Sequence, residues 1–130
     1  MNNSTPGHRL HELGSSVVSD VLDVMGVKGV ISGISPVFDQ AVAIGPAVPV
    51  LVRSKPNAPK GLREGLMEAI DRAEKGSVMV IASDTRGCSV WGGLVSRYAK
   101  LSGIAGAVIY GAARDTEEIL KLRLQFSLEQ

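Results

Sequence analysis

Apolar residues recur along this chain in two alternating rhythms. Val17, Val18, Val21, Leu22 and Met25 fall at i, i+1, i+4, i+5 and i+8, which is one face of a helix. Asp20 and Asp23 lie on its other side, and Gly26 stops it. A second helical stripe, Leu62, Leu66, Ile70 and Ala73, predicts a helix over about 62–74 with Gly76 as its C-cap. Between them, residues 37–52 read as strand, and Gly45-Pro46 divides the run into two strands. Pro49 places part of it at a sheet edge or bulge, since proline cannot donate to a ladder. Ser77–Ser83 and Gly103–Tyr110 are short apolar runs, expected as strands covered on both faces. A helix to about Ser102 lies between these two, and another over Thr116–Leu122 follows. Leu124–Ser127 begins a last strand. Strand and helix alternate through the second half, which predicts an α/β fold with parallel pairing and right-handed crossovers. Residues 1–7 are polar and read as a flexible tail, His8–Leu13 as one or two helical turns, and 8–130 as a single domain.

Composition narrows the function classes. A chain of 130 residues suffices for one core, and 45% hydrophobic with 21% charged residues is ordinary for a globular protein. Aromatics are only 4% and the formal net charge is +1, so neither a base-stacking platform nor a basic nucleic-acid footprint is expected. No apolar run approaches membrane-spanning length, and the polar N-terminus does not resemble a signal peptide. The single cysteine, Cys88, rules out an internal disulfide and fits a reducing compartment; the expected location is cytoplasmic. Cys88 has no evident catalytic partner and reads as a small buried hydrophobe.

The chemistry concentrates between Asp84 and Glu118. Gly92-Gly93-Leu94-Val95 opens a helix, where unpaired N–H groups and the positive end of the helix dipole suit a carboxylate or phosphate. A flexible entry beside a tightly packed layer would use the same glycines. Arg114 follows an apolar strand, at the end where open α/β sheets place ligands, and its planar fork can grip a carboxylate through two hydrogen bonds. A surface ion pair is the plainer role. Asp115 can hold a hard cation such as Mg²⁺, but Asp115-Thr-Glu-Glu118 also has the spacing of a capping box. Asp84, at the end of a strand, is either a further site carboxylate or a turn former. The sequence shows no Cys/His cluster, P-loop or Ser-His-Asp signature.

Taken together, Val18-Ser-Asp-Val-Leu-Asp, Gly45-Pro-Ala-Val, Asp84, Trp91-Gly-Gly-Leu, Gly103-Ile-Ala-Gly-Ala-Val-Ile-Tyr-Gly111 and Arg114-Asp115 resemble the RraA-like family over roughly residues 9–128. That family holds class II pyruvate aldolases acting on 4-hydroxy-4-methyl-2-oxoglutarate and 4-carboxy-4-hydroxy-2-oxoadipate, together with RraA, the regulator of ribonuclease E. The resemblance implies a three-layer β/β/α fold like the swivelling phosphohistidine domain, C-terminally short here, and a homotrimer or hexamer with sites between subunits. It implies a metal-dependent lyase that forms a pyruvate enolate from a small 2-oxo acid. Arg114 would bind the pyruvyl group, Asp115 would ligate Mg²⁺ or Mn²⁺, and the amides of the Gly92–Val95 turn would take the substrate carboxylate. Asp84 and Glu118 would stand behind them. Two departures stand out. The aldolases carry an acid twenty residues before the Arg-Asp pair, a position held here by Gly93, and they continue beyond the point where this chain ends at Gln130. RraA itself lacks the Arg-Asp pair in its metal-binding form, so retention of Arg114-Asp115 tilts the chain towards the enzymes. The alternatives are a non-catalytic regulatory or binding protein with a protein partner, and a related lyase or isomerase on another oxo acid.

Overall fold

The computed structural model describes residues 6–85 and 87–123 and the backbone of 125–129, with the side chain of His8 outside the description. The expectations for residues 1–5 and for Leu124 lie outside the described residues. Two compact units emerge, residues up to Gly33 and Ile34–Gln130.

In the first unit, helix α1 (Pro6–Leu13) packs against helix α2 (Ser15–Val24). Gly14 and Gly26, at φ 77° and 72°, take the left-handed backbone that ends one helix and stops the other. Leu22 is half-buried and folds over Gly29, where a Cβ would strike it. Within this unit α2 buries no residue, and Val17, Val21 and Val24 are exposed.

The second unit is built on a five-stranded sheet. Its strands are β1 (Ile34–Pro36), β2 (Ala47–Val52), β3 (Val78–Ser83), β5 (Gly106–Tyr110) and β7 (Gln125–Glu129), in the order β1-β7-β5-β3-β2. All neighbours are parallel except β1 and β7. Short strands β4 (Ser89–Trp91) and β6 (Ala112–Ala113) form a separate parallel pair. Helices α3 (Leu62–Arg72), α4 (Gly93–Leu101) and α5 (Thr116–Leu122) complete the unit, and α4 packs against both α3 and α5. Pro49 lies in β2, an edge strand, as its missing donor requires. The stripe on α3 is buried at Leu66 and Ile70, with Leu62 and Ala73 packed at the margin of a core that includes Met79, Ile81, Trp91, Ile109 and Ile119.

Two sequence expectations are corrected. Residues 37–44 form no strand; only the part after Gly45-Pro46 joins the sheet. Within residues 37–44, Ala41 N–H donates to the Phe38 carbonyl at 3.3 Å, a turn; just beyond it Gly45 sits against the Gly76 carbonyl, and the Pro46 carbonyl accepts a hydrogen bond from Val78 N–H at 2.8 Å where the sheet begins. The C-cap of α3 is Ala73, not Gly76, which instead takes φ 83° in the following turn and donates its N–H to the Gly103 carbonyl at 2.7 Å. Because a Cβ on residue 45 would meet rigid backbone, Gly45→Ala is expected to cost about 1–3 kcal/mol, read as a lowered midpoint in urea with an unchanged m-value.

Helix α4 is tied on both flanks. Tyr98 Oη donates to Asp71 Oδ1 of α3 at 2.5 Å, and Lys100 Nζ donates to the Leu122 carbonyl of α5 at 2.5 Å. The first of these bonds raises the Tyr98 phenol above its ordinary pKa, chiefly because the Asp71 carboxylate holds its proton. These ties join the C-terminal half of α4 to both neighbouring helices.

Candidate active site

The N-terminus of α4 is held by a small hydrogen-bonded frame. Trp91, 2% exposed, donates from Nε1 to Ser96 Oγ at 2.7 Å, and Ser96 Oγ donates to the Gly92 carbonyl at 2.9 Å. The Trp91 carbonyl accepts the Arg114 N–H at 3.0 Å, which brings the end of β6 beside the start of α4. The first hydrogen bond into the helix runs from Ser96 N–H to the Gly92 carbonyl, so the N–H groups of Leu94 and Val95 precede the intrahelical ladder.

Arg114 and Asp115 lie over this turn. The Arg114 Cγ and Nε and the Asp115 Oδ2 all come within 3.3 Å of where a Cβ on Gly92 would stand, so the bare glycine backbone is what admits them. Asp115 Oδ2 accepts the Gly93 N–H at 3.2 Å and lies 3.8 Å from Arg114 Nε. Asp115 itself occupies the left-handed region at φ 59°, ψ 38°, an uncommon conformation that aspartate tolerates better than most residues and that marks functional turns.

The capping box suggested by Asp115-Thr-Glu-Glu118 does not form. Asp115 is the N-cap of α5, but its carboxylate makes no cap bond to that helix; it reaches α4 instead. Glu118 Oε1 accepts from Arg97 Nε of α4 at 2.5 Å, rather than bonding back to Asp115 N–H. The other oxygen, Oε2, lies against Gly93, where any Cβ would collide with it.

A cavity of about 350 Å³ opens at this junction. Gly92–Val95, Arg114 and Asp115 line it together with Ser89–Trp91. The structure therefore brings together two segments some twenty residues apart in sequence. Asp84 does not join them: its Oδ1 accepts from Ser54 N–H at 3.4 Å and from Thr85 Oγ1 at 3.3 Å, tying the loops beyond β2 and β3. Cys88 is exposed, contrary to the expectation of a buried thiol, because it sits in the loop that precedes β4. The sequence reading missed the wall supplied by α3, with Leu62, Arg63, Glu64 and Leu66. Leu62 and Leu66 were legible as core, but nothing in their spacing marks Arg63 as facing a cavity. Ser96 was also missed; its fully buried hydroxyl takes its meaning from Trp91, five residues earlier.

Among the described residues, no group of three or more His, Cys, Asp or Glu side chains is arranged to hold a metal ion. One exposed carboxylate beside an open cavity nonetheless fits Mg²⁺, which is commonly held by one or two carboxylates while waters and substrate oxygens fill the rest of its shell. Asp115 is the residue that could hold such an ion.

Among the described residues, no helix is long and apolar enough to cross a membrane. The family described as RraA-like: Aldolase/RraA matches residues 15–128. Protein DlpA of Legionella pneumophila subsp. pneumophila is 34% identical over 113 residues, 85% of this chain but 18% of DlpA. Among solved structures, RraAS2 of Streptomyces coelicolor, described as an unusual member of the RNase ES inhibitor RraA protein family, superposes with a TM-score of 0.75 at 22% identity. The match covers 99% of this chain and 65% of that one. A chain from a structure described as novel cellulases from microbes of the gut ecosystem superposes at 0.81 with 22% identity, covering 99% and 62%. At these identities the structural matches establish the fold alone: a mixed α/β fold with parallel sheets. The chain spans less than two thirds of the length of each of these relatives.

Proposed function

The chain belongs to the RraA-like (Aldolase/RraA) family, and from that premise we propose that it is a lyase that generates a pyruvate enolate from a small 2-oxo acid, of the 4-hydroxy-4-methyl-2-oxoglutarate aldolase or oxaloacetate decarboxylase type. The observation that carries this reading is the convergence of Arg114, Asp115 and the first amides of α4 on one cavity. The substrate carboxylate lies on the Leu94 and Val95 N–H groups, where backbone donors and the helix dipole favour an anion. Arg114 donates to the 2-oxo oxygen and stabilises the negative charge that gathers there as the neighbouring carbon–carbon bond breaks. A divalent cation held by Asp115, Mg²⁺ or Mn²⁺, would supply a Lewis acid for the same oxygen. Arg63, on α3, places a further positive charge on the cavity wall, suited to a substrate with a second carboxylate.

Loss of CO₂ from oxaloacetate needs no base, so it is the simplest reaction this clamp can support. Purified protein with Mg²⁺ is expected to release pyruvate from oxaloacetate faster than the metal alone, and chelation is expected to abolish the difference. A rate equal to that of free Mg²⁺ would remove the enzymatic reading. What would stand in its place is a regulatory or binding protein, the reading favoured by glycine rather than an acid at position 93. The assembly goes with the proposal: a homotrimer or hexamer, for which the exposed Val17, Val21 and Val24 supply apolar surface.

A further inference from the structure

The clamp described above accounts for one end of a substrate, and the cavity extends beyond that clamp. At about 350 Å³ it falls in the range of small-ligand pockets, and a pyruvyl group alone would leave it part-filled. Part of its wall comes from α3, where Leu62 and Leu66 are apolar and Arg63 and Glu64 are charged. Val90 and Trp91 add further apolar lining. The two charged residues differ in what they are free to do. Glu64 Oε2 lies over Gly61, the N-cap of α3, where a Cβ would strike it. Arg63 is exposed and, among the described residues, has no ion-pair partner, whereas Arg72 is paired with Glu68 and Arg97 with Glu118. The chain leading to it is basic as well: Arg53 and Lys55 precede it, and no acid lies between positions 53 and 63. One cavity thus has a guanidinium on α3, a second at Arg114, and apolar side chains in the same lining.

We propose that Arg63 is the specificity-determining residue of this site and binds the far carboxylate of a 2-oxo dicarboxylic acid. The inference rests on the lyase reading above and extends it to the far end of the substrate. A molecule of this class has the chemistry of the cavity. Its 2-oxo acid head suits the α4 amides and Arg114, its short carbon chain suits the apolar lining, and its second carboxylate suits the planar fork of Arg63, which can take it through two hydrogen bonds. An uncharged tail would leave that guanidinium without a partner. The placement has a kinetic consequence. In loss of CO₂ from oxaloacetate the C3–C4 bond breaks, its electron pair becomes the C2=C3 bond of the enolate, and the C2 carbonyl electrons pass to the oxygen facing Arg114. The C4 carboxylate departs as neutral CO₂, so the charge held by Arg63 disappears as the bond breaks. Arg63 therefore stabilises bound oxaloacetate more than the transition state, and lowers KM without raising kcat. A substrate that keeps its far carboxylate through bond cleavage keeps that contact as well.

The test compares 2-oxoglutarate with 2-oxopentanoate, which share a carbon skeleton and a 2-oxo acid head and differ in the far carboxylate. Binding to the full chain with Mg²⁺ is measured by isothermal titration calorimetry, which needs no turnover. Wild type is expected to bind 2-oxoglutarate at least about tenfold more tightly. Arg63→Ala is expected to bring the two affinities within about threefold of each other, and Arg63→Lys, which keeps the charge and loses the fork, to fall between. The side chain is exposed, so the fold should survive the substitution, and a circular-dichroism melt checks that it does. With oxaloacetate as substrate, Arg63→Ala should raise KM at least about tenfold with kcat no lower than in wild type, a split that a merely structural role would not produce. The proposal is overturned if wild type binds the two acids equally, if Arg63→Ala keeps the preference, or if Arg63→Ala lowers kcat and leaves KM unchanged. Loss of the preference in Arg63→Ala, with no decarboxylation by wild type, would remove the lyase reading and leave the assignment of Arg63 standing. Decarboxylation by wild type with a preference independent of Arg63 would do the reverse.

Discussion

Arg114→Ala is expected to reduce kcat/KM for oxaloacetate decarboxylation by about 10²–10⁴, with no loss of fold. The magnitude follows from two charge-assisted hydrogen bonds, each worth about 1.5–3 kcal/mol, at about 1.4 kcal/mol per tenfold. Stability should be nearly untouched, because the Arg114 side chain is 76% exposed and its nearest carboxylate, on Asp115, is 3.8 Å away in solvent, a pairing of little worth. Arg114→Lys separates charge from geometry: it keeps a cation over Gly92 but loses the planar fork, so an intermediate rate is expected. Steady-state kinetics with a circular-dichroism melt on the same samples checks both halves. Activity of the alanine variant within about threefold of wild type would show that the guanidinium does not face the reacting oxygen.

The largest structural effect is expected at Trp91. Trp91→Ala should cost about 3–5 kcal/mol, a large part of the 5–15 kcal/mol typical of a domain. The ring is fully packed, 2% exposed, and its removal leaves both a cavity and a buried Ser96 hydroxyl without its indole donor. Trp91→Phe keeps most of the volume and loses the hydrogen bond, so its cost should be nearer about 1–3 kcal/mol. Trp91 is the sole tryptophan, so urea unfolding must be followed by far-ultraviolet circular dichroism rather than fluorescence. Equal costs for the two variants would mean that the Trp91–Ser96 bond, rather than the packing of the ring, dominates at this position.

The two effects separate because the site is built in two shells of different character. The outer groups, Arg114 and Asp115, are exposed or half-exposed and are the side chains to which the proposed reaction assigns substrate and metal. Beneath them, Trp91 and Ser96 are buried and hold the Gly92 turn at the height where the exposed groups can meet it. Substitution in the first group should change rates and spare stability; in the second it should change stability, and rates only through displacement of the turn.

How far the sequence announced this depends on the range of the interaction concerned. The helix over Thr116–Leu122 and the core positions Leu66 and Ile70 were legible because helical periodicity repeats within a few residues. The strands at 78–83 and 106–110 were legible as short apolar runs bounded by polar or glycine-rich turns. The run at 37–44 was misread because apolar content alone cannot distinguish a strand from a turn-containing segment, such as the one Ala41 N–H closes on the Phe38 carbonyl. Strands of two and three residues, such as β6 and β4, carry no period at all. At the site, the glycine turn and the Arg-Asp pair could be picked out by residue type. Their meeting could be expected from topology, since ligands gather at the ends of parallel strands. What spacing could not supply was the partner of each carboxylate. Asp115 and Glu118 have the sequence of a local cap, yet one reaches Gly93 across 22 positions and the other Arg97 across 21. Tertiary contacts overrode a local pattern here, as they do wherever a side chain has a better partner on a neighbouring helix.

The most direct measurement is a crystal structure of the protein soaked with Mg²⁺ and oxalate, a stable mimic of the pyruvate enolate. The account predicts oxalate in the cavity, one carboxylate on the Leu94 and Val95 amides, an oxygen within hydrogen-bond distance of Arg114, and the cation against Asp115. Oxalate bound elsewhere, or a cavity that stays empty at saturating oxalate with Arg114 turned to solvent, would contradict it.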